Sequence, residues 1–198
     1  MNKGKNAVPQ TSDLEQPVAI HNLLTFHVDS QLYAIPIEPV AQVVSMVTIT
    51  PIPQASNLTE GVINVHGEVV PVVDLHRHLG KQKIPYHFHT PIILTKIQEC
   101  LLGLIVEDVS DVISLPAEQI THPGDILPKE LHNETVLSGV TYLPQGAVLI
   151  LDPDQLFHTD QLQVLALASE YLVKDTNTGN EKTGASKSRS RRPRSKKA

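Results

Sequence analysis

Apolar and polar positions along the chain follow the pattern of short strands. Leu24, Phe26 and Val28 alternate with polar neighbours, Asp29-Ser30-Gln31 follows as a turn, and Tyr33, Ile35 and Ile37 resume the alternation, which predicts a hairpin. Residues 40–49 are again rich in Val, Ile and Thr, while Pro36, Pro39, Pro51 and Pro53 confine ladder pairing to edges and strand ends. Gly61-Val-Ile-Asn-Val-His66-Gly67-Glu-Val-Val-Pro71-Val-Val-Asp74-Leu75 reads as two strands joined by a tight turn at Gly67. Asp74 is set to cap a short helix, with Leu75 and Leu79 on one face and Gly80 just past its end. After a polar connector, 81–90, strands are predicted at 91–97, 101–106, 109–115, 135–143 and 147–151. Turn chemistry separates them at Gln98-Glu99, Glu107-Asp108 and Pro144-Gln145-Gly146. About ten short strands in two groups suggest two small barrels. From Asp152, with Pro153 in the first helical position, Leu156, Leu162, Leu165, Leu167, Ala168 and Leu172 predict a terminal helix over about 153–172.

Composition strengthens the β reading. Among 198 residues, Val and Ile number 36 and Leu 23, against 7 aromatic residues. No strand–helix–strand alternation supports a parallel nucleotide-binding sheet. No apolar run approaches the length of a membrane span and residues 1–20 lack a secretory pattern, so a cytoplasmic protein is expected. The single Cys100 excludes an internal disulfide and a cysteine-pair metal site.

Charge divides the chain. Residues 1–180 hold 8 Lys+Arg against 20 Asp+Glu, formally −12, whereas residues 181–198 hold 8 against 1, formally +7. The basic end carries no large apolar side chain to offset ordering entropy, so 174–198 is expected to be a disordered tail, and the polar residues 1–17 a second loose end. The folded body then spans 18–173, with one lobe over about 24–82 and a second over about 88–157.

Three blocks bring the sequence close to a known family. The stretch from Gly61 to Leu75, with its Asn64, Gly67, Pro71 and Asp74, is similar to the most characteristic segment of the CheW family of bacterial chemotaxis coupling proteins. Gly103-Leu-Ile-Val-Glu-Asp-Val109-Ser-Asp-Val112 resembles the strand-turn-strand of the family's second lobe, and Tyr33-Ala-Ile-Pro-Ile37 its opening hairpin. With Leu149-Ile-Leu-Asp152, the resemblance covers roughly residues 24–157. It implies an all-β fold of two SH3-like five-stranded barrels packed side by side, with a short C-terminal helix and disordered tails. It also implies a non-catalytic adaptor, without cofactor, that joins the cytoplasmic tip of a chemoreceptor to the regulatory domain of the histidine kinase CheA. By matching position, Ile37, Val40, Val109 and Val112 would line the receptor groove between the lobes, with Gly103 allowing close packing nearby. The kinase contact would include Gln42, His66 and Gly67.

One departure from the family is informative. Members usually carry Glu where Gln42 stands and Arg where His66 stands, two positions expected near each other, and here both charges are gone. Such a joint exchange would re-tune partner choice, because rim charges govern specificity and encounter rate more than affinity. It would suit the coupling protein of a related pathway, such as one controlling pilus-driven motility.

The remaining chemistry-bearing residues point to no reaction. His76-x-His78 and His87-x-His89 have no convergent carboxylates or cysteines, so solvated surface histidines are expected and no metal. Ser110, Ser138 and Cys100 sit in no nucleophile motif, and phosphate-binding glycine loops are absent, so no enzyme is expected. The segment 187–197, with 7 positive charges in 11 residues, suits weak contact with anionic lipid or nucleic acid. A small β-barrel nucleic-acid binder, the alternative of another class, would have to lean on that tail alone, because the body is acidic.

Overall fold

The structure is a computed structural model and describes residues 19–52, 59–98, 100–126 and 136–167. The expected loose ends, 1–17 and 174–198, lie outside the described residues. Ten strands form two five-stranded sheets in two compact units. The first unit draws on residues 1–39 and 107–156, the second on 40–106 and 157–198.

In the first unit, β1 (Ile20–Val28) and β2 (Gln31–Pro36) form the predicted hairpin, turned at Asp29 and Ser30, both with positive φ. β8 (Asp108–Pro116), β9 (Leu137–Leu143) and β10 (Gly146–Leu151) complete a sheet of order β8-β1-β2-β10-β9, in which β2 and β10 run parallel. Leu23, Leu32, Ala34, Leu115, Val148 and Ile150 form its core. The second unit holds β3 (Val40–Ser45), β4 (Thr59–Val65), β5 (Glu68–Asp74), β6 (Pro91–Ile97) and β7 (Cys100–Ile105), in the order β3-β6-β7-β5-β4. Its core is Ile63, Val70, Val72, Ile92, Leu94 and Ile105.

This corrects the lobe boundaries of 24–82 and 88–157. The opening hairpin pairs with the last three strands, and β6–β7 pairs with β3–β5. Alternation specifies a strand and a two-residue turn specifies its hairpin mate, but neither specifies the partner on the hairpin's outer edge. Those outer partners, β2 with β10 and β5 with β7, are parallel and need long crossovers.

The two sheets repeat one plan. Each has an edge strand, an antiparallel hairpin, a parallel pair and a second antiparallel hairpin, in that order. In each, the chain beyond the edge strand returns to the opposite edge. Thr50 exchanges two backbone hydrogen bonds with Val62 of β4, at 2.8 and 2.9 Å, and Thr121 does the same with Val140 of β9, both at 2.8 Å. A glycine precedes each bridged valine, and the close approach requires it. A Cβ on Gly61 would stand 2.3 Å from the Thr50 carbonyl oxygen, and one on Gly139 would stand 2.5 Å from the Ile120 side chain.

Helices are short. Asp74 caps α1 (Leu75–His78), accepting the His76 N–H at 2.9 Å. Gly80 N–H donates to Arg77 O and Lys81 N–H to His76 O, the double bond of a glycine-terminated helix end. A 3-10 turn (Ala117–Gln119) and α2 (Pro123–Ile126) follow β8. The expected terminal helix over 153–172 is two pieces: α3 (Pro153–Leu156), capped by Asp152, and α4 at 159–167, with the rest outside the described residues. The break falls at Phe157-His158, where Gln161 Oε1 accepts the His158 N–H at 2.9 Å, a side-chain cap that starts a new helix. Among the described residues, no helix is long and apolar enough to cross a membrane.

Candidate partner-binding surfaces

β1 is buried on both faces, since Leu23, Leu24, Thr25 and Phe26 are all buried. Leu23 faces the core, so Leu24 and Phe26 belong to the opposite face, which they share with Ile35 of β2. The edge strand β8 extends that face. Val112 stands opposite Leu24 and Val109 opposite Phe26, and directly opposed side chains lie on the same side of a sheet. A spacing of three would normally put Val109 and Val112 on opposite faces. A bulge between these pairings adds one residue to β8 and brings both valines to one side. Thr25 stabilises the bulge: its buried hydroxyl donates to Asp111 O at 2.7 Å and accepts the Asp111 N–H at 3.1 Å. Ile37, whose N–H donates to Asn22 O at 3.0 Å, continues the row two residues beyond Ile35. Ile37 and Val109 are half-buried and Val112 is 52% exposed.

Ile37, Val109 and Val112 therefore share one sheet face. The family resemblance implies a receptor contact for all three but says nothing of Thr25, because a threonine in a strand gives no local sign that it spans a bulge. The electrostatics of this unit are one-sided. Its described residues include nine carboxylates, among them Asp29, Glu107, Asp108 and Asp111, and no Lys or Arg. The second unit balances four carboxylates with Arg77, Lys81, Lys83 and Lys96.

Val40 and Gly103 belong to the second unit. Val40 opens the edge strand β3 opposite Thr95 and is half-buried, and Val43 on the same strand is 40% exposed. Gly103 lines no surface. A Cβ there would meet Val72 Cγ1 at 2.7 Å and Ile92 Cγ2 at 2.9 Å, so its place is in the core of this unit, where it allows close packing and offers no side chain to a partner.

The exposed Gln42 lies on β3 opposite Leu94, and no ladder register sets it beside His66, although the two are expected to be neighbours. His66 and Gly67 form the β4–β5 turn, with φ of +52° and +94°. Asn64 Oδ1 accepts the Gly67 N–H at 2.9 Å, holding the turn so that His66 projects into solvent. Asn64 is a shaping residue that sequence reasoning leaves unassigned, though an asparagine beside a glycine turn is a readable signal.

Behind this turn, polar groups meet at α1. The buried Asp74 accepts the Tyr86 hydroxyl at 2.7 Å, and its Oδ1 lies 3.4 Å from His76 Nδ1. Burial, then the hydrogen bond and negative charge of Asp74, push the Tyr86 phenol far above its ordinary range. Burial would raise Glu60, but hydrogen bonds from Lys83 and Arg77 outweigh it and hold the carboxyl below its usual value. His76 is fully buried rather than solvated, contrary to expectation, with the buried Asp74 carboxylate beside its ring. His78 is half-buried with its ring 4.5 Å from that of Phe157. Among the described residues, no group of three metal-ligating side chains converges.

Comparison with known proteins fits this geometry. The CheW-like domain family matches residues 22–161. The chemotaxis protein CheW of Treponema pallidum is 27% identical over 161 residues, covering 76% of this chain and 92% of its own length. That of Klebsiella aerogenes is 28% identical, covering 72% and 84%. The crystal structure of the scaffolding protein TtCheW from Thermoanaerobacter tengcongensis superposes with a TM-score of 0.63 at 28% identity, covering 72% of this chain and 96% of that one. Two five-stranded sheets of one plan and a family match across most of the folded residues agree: this chain belongs to the CheW-like domain family, whose members are scaffolds rather than enzymes.

Proposed function

We propose that the chain is a cytoplasmic adaptor that couples a chemoreceptor to a CheA-type histidine kinase. The observation that carries this reading is the apolar row Ile37, Val109 and Val112 on a unit of a CheW-like protein whose described residues are acidic and include no Lys or Arg. A helical receptor tip would lay its apolar stripe along that row. The kinase would be met by the second unit, at Gln42 and the His66-Gly67 turn. Val112 is half exposed in the free chain, so it has apolar surface left to bury in a complex.

Titration of a receptor-tip fragment by calorimetry tests the assignment. Val112→Asp adds a charge at the centre of the row without touching the core. It is expected to weaken receptor binding by at least about tenfold while leaving kinase binding unchanged. Receptor affinity equal to that of the parent would remove the row from the interface.

A further inference from the structure

An aromatic ring with almost no cover stands on the second unit. Phe88 is 88% exposed, the most solvated large apolar side chain among the described residues. It is nonetheless held in place. Thr90 N–H donates to His87 O at 2.9 Å, and Thr90 Oγ1 accepts the His87 N–H at 2.8 Å, closing a turn with Phe88 and His89 at its tip. The connector leading to the turn is pinned by Lys83 to Glu60 and by the Tyr86 hydroxyl to Asp74. A phenyl ring fixed in water contributes nothing to the free chain, whereas on binding it buries a large area and loses little freedom.

The first unit carries a hollow that suits such a ring. Four residues before its bridging threonine, Thr50, the second unit sets Met46 against its core, and the first unit has Ala117 at the same distance before Thr121. A cavity of about 120 Å³ opens there, with walls mainly apolar from Leu23, Pro36, Ala117, Ile120 and Ile150. Apolar cavities of roughly this size take a benzene-sized group. Charge agrees with the fit. The connector 81–90 carries Lys81, Lys83, His87 and His89 and no carboxylate. The described residues of the first unit carry nine carboxylates and no Lys or Arg, and the exposed Glu118 is next in sequence to Ala117.

We infer that Phe88 of one copy seats in the first-unit cavity of a second copy. Knob and hole are different surfaces of the chain, so the contact is head-to-tail. Each pair still offers one knob and one hole, and association continues into rings or open chains instead of stopping at a symmetric dimer.

Sedimentation of the full chain tests this. Its mean mass is expected to rise with concentration up to about 1 mM. Phe88→Ser removes the knob from an exposed turn and should weaken association at least about tenfold, and Ala117→Met, which fills the hole, should do the same. The Phe88→Ser chain keeps its hole and the Ala117→Met chain keeps its knob. Each is expected to be monomeric alone, and the mixture to form a one-to-one pair that grows no further. Excess Phe88→Ser added to the parent should cap growing ends and lower the mean mass, a measurement that does not depend on how Ala117→Met folds. A parent that stays monomeric throughout would overturn the inference. So would association that stops at two copies, association that Phe88→Ser leaves unchanged, or a mixture of the two folded variants that does not pair.

Discussion

Adding one methyl group at Gly61 should damage this protein more than adding it at Gly67 or Gly103 of the same unit. Gly61 has a φ of +143°, and an alanine Cβ there would lie 2.3 Å from the Thr50 carbonyl oxygen and 2.7 Å from Ile49 Cγ2. The carbonyl cannot swing aside freely, because it accepts the Val62 N–H at 2.9 Å in the bridge that joins the chain after β3 to β4. Forcing a side-chain-bearing residue into that conformation costs about 1–3 kcal/mol. Losing two backbone hydrogen bonds costs about 1 kcal/mol each. Gly61→Ala is therefore expected to lose about 3–5 kcal/mol of stability, a fall in Tm on the order of 10 °C for a chain of this size. Gly67 also has positive φ, but nothing lies within 4 Å of its Cβ position, so Gly67→Ala should cost only about 1 kcal/mol. Gly103→Ala meets only side chains and falls between, at about 1–3 kcal/mol. Urea unfolding followed by far-ultraviolet circular dichroism ranks the three. A Gly61→Ala variant as stable as Gly67→Ala would refute the claim that this edge-to-edge bridge depends on that glycine.

Two further predictions concern charge. Glu60 has a folded-state pKa below its unfolded one, so its ion pairs with Arg77 and Lys83 stabilise fully above the unfolded value and fade as pH falls through the folded value. Glu60→Gln should cost about 1 kcal/mol at pH 7, with the deficit closing at acid pH; a deficit independent of pH in denaturation curves would count against these ion pairs. The joint variant Gln42→Glu, His66→Arg should shift preference between the chain's own receptor or kinase and a conventional family partner by about tenfold, read from paired dissociation constants. Unchanged preference would show that the two neutral residues do not set partner choice.

The strands were legible because their apolar residues alternate and their turns are chemically marked. Pro91–Ile97 is an element whose predicted and observed bounds coincide, and Asp74 and Gly80 announce the start and end of α1. Sheet membership was not legible. Nothing local in β2 says that its outer edge pairs in parallel with β10 across more than a hundred residues of chain. The bulge that turns Val109 and Val112 to one side was equally hidden, because it depends on Thr25 in a distant strand. Gly103 and His76 show the remaining limit. Whether a glycine faces a core or a surface, and whether a histidine is solvated or set beside a carboxylate, follows from packing rather than from composition.

On the proposed function, one chain holds a receptor and a kinase at once through separate surfaces. Immobilised CheA-type regulatory domain, offered a soluble receptor-tip fragment with and without this protein, measures that bridging directly by surface plasmon resonance. Retention of the receptor fragment only when the chain is present is the predicted result, with the Val112→Asp chain binding the kinase surface but capturing no receptor. Equal receptor retention without the chain, or a chain that releases the kinase on binding the receptor, would contradict the account.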